Sequence, residues 1–179
     1  MTDPASPGTV RGLIEQQAAL RPEAVYALAT ESAQSLTYAE LQAGCGRVAT
    51  LLRAQGLAPG DTVALIMPNG LGTLQLLLGA LHGGWCVNPV NLLSQAEQMR
   101  YVLDHCDCKL VLASGEWVAK ARALAPRAPV LALDHENLVL PAQPTTTPTP
   151  SPDAIGPYLR TLMSFHQDTL GPPVSLEPR

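Results

Sequence analysis

His105, Cys106, Asp107 and Cys108 place an imidazole, a carboxylate and two thiols side by side, the side-chain types that ligate soft metal ions or carry thiol chemistry. A structural zinc site needs four ligands and favours cysteines two residues apart. Here one residue separates them, and only Cys45, Cys86 and distant histidines remain to complete a set. The pattern predicts no metal centre; Cys106 and Cys108 read as small half-buried residues at a helix end and a strand start, with free thiols suited to a reducing cytoplasm. His82 and His135 read as isolated helix-end or loop residues, with no paired nucleophile or carboxylate. Asp134 adjoins His135 only along the chain, and a triad is defined in space. Gly44, Gly46 and Ala49 match the G-x-G-x-x-A dinucleotide spacing, but that loop joins a strand to a helix. These three fall inside a helix, where small residues permit close packing. Trp85, Pro89 and Asn91 border a turn, N-P-V-N, whose residue types suit a structural corner. No residue is assigned a catalytic, cofactor-binding or metal-binding role.

The elements that would position such groups follow from local chemistry. From Thr9, or Gly8 before it, the spacing of Val10, Leu13, Ile14, Gln17 and Ala18 predicts a helix with one inward face, ended by Arg21-Pro22. Ala24 to Ala29 is a strand candidate, Glu31 to Ser35 a reversal, and Leu36 the start of the return. Thr37 and Glu40 form a capping box that opens a helix to about Ala54. Leu41, Cys45, Val48 and Leu52 line its inner face, and Gly56 stops it in a left-handed conformation. A strand Thr62 to Met67, a helix Leu71 to Leu81 and a strand Trp85 to Val87 follow. A second capping box, Ser94 to Glu97, opens a helix to His105. Strand Lys109 to Ala113, helix Glu116 to Leu124 and strand Pro129 to Leu133 complete the alternation, which predicts an α/β fold with a mostly parallel sheet and helices on both faces.

A single domain is expected over residues 8–140 of the 179, followed by a proline- and threonine-rich linker at 141–152 and an irregular tail at 153–179. In the tail only Tyr158, Leu159, Leu162, Met163 and Phe165 suggest a short helix. The chain is 46% apolar and 15% charged, with a formal charge of −4 and no basic run, so nucleic acid is not an expected partner. Thr62 to Ala96 carries no formal charge, yet a spanning helix takes about 20 apolar residues. Pro68, Gly70, Gly83, Gly84 and Pro89 break this run into shorter pieces. No transmembrane segment is expected, and no signal peptide is legible in M-T-D-P-A-S-P-G, which points to the cytoplasm.

Three stretches carry a family likeness. L-T-Y-A-E-L (Leu36 to Leu41), G-L-A-P-G-D-T-V-A-L-I-M-P-N (Gly56 to Asn69) and G-A-L-H-G-G-W-C-V-N-P-V-N (Gly79 to Asn91) resemble the AMP-forming acyl-CoA synthetases of the adenylate-forming ligase superfamily. The likeness covers Leu36 to about Ala113, within that family's N-terminal portion. It implies the N-terminal subdomain of an enzyme that uses ATP and magnesium to convert a carboxylic acid to an acyl-adenylate, then transfers the acyl group to coenzyme A. Family members commonly carry serine or alanine where Cys106 and Cys108 stand.

In such proteins the linker leads into a strand and a loop of Ser, Thr and Gly followed by Pro-Lys-Gly, whose amides wrap the ATP phosphates. This chain instead reads D-A-I-G-P-Y-L-R-T-L-M-S-F-H-Q-D-T-L-G-P-P from Asp153, and its last lysine is Lys120. The resemblance therefore implies a truncated ligase, through a lost reading frame near Asp153 or an early stop, that binds no cofactor and is inactive alone. A non-enzymatic remnant or a module that binds an intact ligase is the alternative. Either way an uncovered sheet edge is expected to favour self-association.

Overall fold

A computed structural model describes residues 8–30, 32–125 and 127–142. The expected linker beyond residue 142 and the tail with its Tyr158 to Phe165 patch lie outside the described residues. The chain divides at 148/149, and everything below belongs to the first unit.

Helix α1 (Val10–Leu20) begins at Thr9, whose hydroxyl accepts the Gly12 amide at 3.0 Å. Only Ile14 and Ala18 of its expected inner face are buried; Leu13 is 52% exposed and Val10 is also at the surface. The helix packs as an outer layer on α2 (Tyr38–Ala54) and α3 (Leu71–Gly83), so a narrow stripe suffices to seat it. Between α1 and α2, strands β1 (Val25–Ala29) and β2 (Gln34–Thr37) form an antiparallel pair of their own. The return strand starts at Gln34, earlier than Leu36, because Ala33 adopts a left-handed φ of 54° and reverses the chain sooner.

The α2 start is as the residues dictate. Glu40 accepts the Thr37 amide at 2.8 Å, and the Thr37 hydroxyl accepts the Glu40 amide at 3.3 Å. The bond from the Thr37 backbone, with the Thr37 hydroxyl, holds the Glu40 carboxyl below its ordinary range. Such a cap contributes about 1 kcal/mol. Leu41, Cys45, Val48 and Leu52 are all fully buried, and Gly56 takes φ 83° beyond the helix end.

The main sheet has order β4-β3-β5-β6 and is parallel throughout. Its strands are β3 (Thr62–Ile66), β4 (Cys86–Pro89), β5 (Cys108–Ala113) and β6 (Val130–Ala132). Central strands β3 and β5 alternate between two cores. Val63, Leu65, Leu110 and Leu112 face α2 and α3, where Val48, Leu52, Leu76 and Ala80 close the layer. Ala64, Ile66, Val111 and Ala113 face α4 (Ala96–His105) and α5 (Trp117–Leu124), which supply Met99, Leu103, Ala121 and Leu124. Helices thus cover both faces, and a charge-free run is what strands buried on both sides require.

Among the boundaries that differ from the sequence reading, those around Trp85 and Ser94 have clear local causes. Trp85 is not in a strand: its amide closes the end of α3 on Ala80 O at 3.0 Å, with Gly84 at φ 90° between them, so β4 starts at Cys86. The second capping box is one residue later than Ser94 and Glu97. Asn91 Oδ1 accepts the Leu93 amide at 3.0 Å and Asn91 O accepts the Ser94 amide at 3.2 Å, a turn that commits Ser94. Gln95 then becomes the cap, its amide bonded to Gln98 Oε1 at 3.1 Å.

Candidate functional site

In an open parallel sheet, ligands gather at the carboxyl ends of the strands where the chain's direction of travel across the sheet reverses. From β3 the chain steps outward to β4, and from β5 it steps to β6 on the other side, so the reversal lies between β3 and β5. The segments emerging there are Met67 to Gly70 and Ser114-Gly115. The Ser114 amide reaches Ile66 O at 3.4 Å across the gap.

Ser114 is 2% exposed and is the one polar residue among the buried described residues. Its Oγ lies 2.7 Å from His135 Nδ1, and it accepts the His135 amide at 3.3 Å. Which of Oγ and Nδ1 donates depends on the imidazole tautomer. A serine–histidine pair is the start of a nucleophilic site, but this one lacks the third member. Asp134 accepts the Glu136 and Asn137 amides at 3.0 and 3.2 Å, which hold its carboxyl below the ordinary range. It caps its own loop and does not orient the imidazole.

The same loop shuts the crevice. A Cβ at Gly72 would overlap the His135 carbonyl and lie 3.2 Å from Leu138 Cβ, so the loop rests directly on the first turn of α3. Leu138 and Leu140 continue onto the α2/α3 side of the core. Ser114 and His135 therefore latch the segment after β6 over the strand ends. This geometry suits positioning better than attack on a substrate.

His135 is thus a loop residue, but the expectation that no nucleophile stands near it is corrected by Ser114, 21 residues away in sequence. His82 is at the end of α3, and the expectation that no carboxylate stands near it is corrected too. Its Nε2 lies 3.4 Å from Glu15 Oε1, and Arg11 donates to the His82 carbonyl at 2.8 and 2.6 Å. Burial lowers the His82 affinity for a proton and Arg11 adds to this, while Glu15 opposes both. The three groups tie α1 to α3.

Gly44 and Ala49 are buried within α2, and a Cβ at Gly44 would meet the Gln75 side chain of α3, which makes the G-x-G-x-x-A match a helix contact. Cys106 and Cys108 are half-buried, as expected; their Sγ atoms lie 3.6 and 3.9 Å from Leu103 O. A hydrogen bond from the Cys108 thiol lowers Cys106 to about 6, and the same bond raises Cys108. Among the described residues no group of three or more His, Cys, Asp or Glu side chains could hold a metal ion. The buried Cys45 thiol is pushed up to about 12 by desolvation, which leaves it inert.

The pattern of an AMP-binding enzyme matches residues 14–169, extending on both sides of the Leu36 to Ala113 stretch and taking in residues beyond Asp153. The chain belongs to this family. Among AMP-binding enzymes it is 36% identical over 182 aligned positions to the sulfoacetate–CoA ligase of Cupriavidus necator, covering 96% of this chain and 35% of the ligase. The chain therefore spans about a third of that relative's length. It is 32% identical over 123 positions to an uncharacterized protein of Mycobacterium tuberculosis, covering 69% of this chain and 70% of that one. The inhibitor-bound N-terminal domain of FACL13 from Mycobacterium tuberculosis superposes with a TM-score of 0.63 at 25% identity, over 69% of this chain and 33% of that domain. Fold and family agree with the N-terminal portion of an adenylate-forming CoA ligase.

Nothing local in the sequence marks Ser114 as a partner of His135, since both are ordinary loop types. The one available signal was position: Ser114 directly follows β5 and His135 lies three residues past β6, at the end of the sheet where α/β folds keep their polar side chains.

Proposed function

We propose that this chain is the N-terminal scaffold of a carboxylate–CoA ligase that works in the cytoplasm, and that the 179 residues do not catalyse adenylation by themselves. The reaction of the complete enzyme joins a carboxylic acid to AMP with release of pyrophosphate from ATP and magnesium, then passes the acyl group to coenzyme A. One observation carries the second part of the proposal. At the sheet reversal, where a ligand crevice is expected, the nucleophile–base pair found among the described residues is buried and spent on holding a loop. Adenylyl transfer needs donors and a metal placed around the phosphates, because positioning and electrostatics supply most of the acceleration. The chain contains no Ser, Thr and Gly loop followed by Pro-Lys-Gly. Pyrophosphate release from ATP and magnesium, measured with short, medium, long and aromatic carboxylic acids, is expected at background for the purified chain. Turnover above background in protein freed of host ligases overturns the proposal.

A non-catalytic role, as a remnant or as a module that binds an intact ligase, is the second reading. Self-association would be part of such a role. The β1–β2 pair stands apart from the main sheet and exposes Val25, Tyr26 and Leu28, while Leu20 is bare at the end of α1. Open strand edges with apolar side chains template pairing with another chain. Sedimentation at micromolar concentration is expected to show dimers or larger species. A single monomeric boundary across that range counts against it, and Leu28→Lys is expected to shift the distribution toward monomer.

A further inference from the structure

Three of the four thiols lie at the amino-terminal end of the main sheet, opposite the strand ends described above. Cys86 and Cys108 flank Thr62 from either side, each in register with it. Burial raises the Cys86 thiol above its ordinary range. Cys106 and Cys108 behave differently. Both Sγ atoms turn toward one oxygen, Leu103 O, at 3.6 and 3.9 Å. Asp107 between them takes a left-handed φ of 46°, at the turn from α4 into β5. Neither thiol is sealed in the core, since both are half-buried and open to exchange with solvent.

The electrostatics of this corner favour a cation. Leu103 O belongs to the last turn of α4, where carbonyls lack helix partners and the helix end carries partial negative charge. Two sulfurs and that carbonyl converge there, all of them donors of electron density. Neighbouring Lys109 is engaged by Asp107 at 3.1 Å. Two ligands are too few for zinc, and no third side chain completes a site among the described residues. Soft d10 ions that accept two thiolates in line need no third ligand, and thiolate donors select monovalent copper among them.

We propose that Cys106 and Cys108 form a two-coordinate site for a soft d10 cation, with Cu(I) as the ion of matching chemistry. Binding replaces two S–H bonds by two S–Cu bonds, releases two protons and leaves the oxidation state of copper and sulfur unchanged. The site is independent of the ligase reading, because it lies at the opposite end of the sheet from Ser114 and His135.

Anaerobic titration of the reduced 179-residue chain with Cu(I), in competition with bathocuproine disulfonate, tests this. The parent is expected to withdraw about one copper per chain. Cys106→Ser and Cys108→Ser are each expected to weaken uptake by at least about 100-fold, because one thiolate alone remains. Cys86→Ser leaves it unchanged. Alkylation of the parent by iodoacetamide, read by mass spectrometry, is expected to be blocked by Cu(I) at Cys106 and Cys108 and not at Cys86. This readout holds even if a serine variant fails to fold. Absence of uptake, uptake that survives either serine substitution, its loss in Cys86→Ser, or alkylation indifferent to copper overturns the proposal.

Discussion

Gly79→Ala is expected to destabilise the domain by about 2 kcal/mol, whereas Gly44→Ala is expected to be neutral or stabilising by up to about 1 kcal/mol. Both glycines lie where α2 and α3 cross, and both would gain helix propensity from alanine. They differ in what the new methyl group meets. At Gly79 the Cβ would lie 2.6, 2.8 and 3.0 Å from Val48 Cβ, Cγ2 and Cγ1. Val48 is fully buried and β-branched, and its Cβ is fixed by the backbone, so relief requires the helices to separate. Overpacking of this kind costs about 1–3 kcal/mol and outweighs the gain in propensity. At Gly44 the overlap is with the terminal amide of Gln75, the far end of a flexible side chain that can swing aside. Thermal unfolding should register a drop of roughly 5–10 °C for Gly79→Ala and none for Gly44→Ala. Equal effects at the two sites would show that α2 and α3 do not pack as described.

Leu112→Ala is expected to cost about 3–4 kcal/mol, the larger of the two losses. Leu112 is 1% exposed at the centre of β5, in register with Leu65 on one side and Leu131 on the other. It points into the α2/α3 core, where strand neighbours on both sides prevent collapse around the lost methyl groups. Against a total stability on the order of 5–15 kcal/mol, that loss populates unfolded chains at physiological temperature. Leu93→Ala is the control. Leu93 is 92% exposed in the turn after β4, so its truncation should stay within about 0.5 kcal/mol. Urea midpoints measure both. A cost below about 1 kcal/mol at Leu112 would place β5 at an edge rather than the middle of the sheet.

Much of the architecture was legible in the residues because it rests on short-range chemistry. Thr37 and Glu40 open α2, Gly56 closes it, and the apolar runs Val63 to Ile66 and Leu110 to Ala113 suit strands covered on both faces. The errors also have local causes. The backbone of Ser94 is claimed by the Asn91 turn before it can cap a helix, and the amide of Trp85 belongs to the end of α3. The predicted inner face of α1 was too wide, since periodicity tells which side is apolar and not how much of it a neighbour covers.

What only the tertiary structure decided is which distant groups meet. Ser114 and His135 touch because parallel strands β5 and β6 end side by side, and Glu15 approaches His82 because α1 lies across α3. By itself the sequence determined the family, the parallel α/β class and the strength of its caps, all carried by neighbours within a few residues. Strand order and the latch over the sheet ends depend on where whole elements pack. Hydrophobic burial drives that packing, and it is non-directional: a pattern of apolar residues says that a face must be covered, while only the assembled layers determine by what.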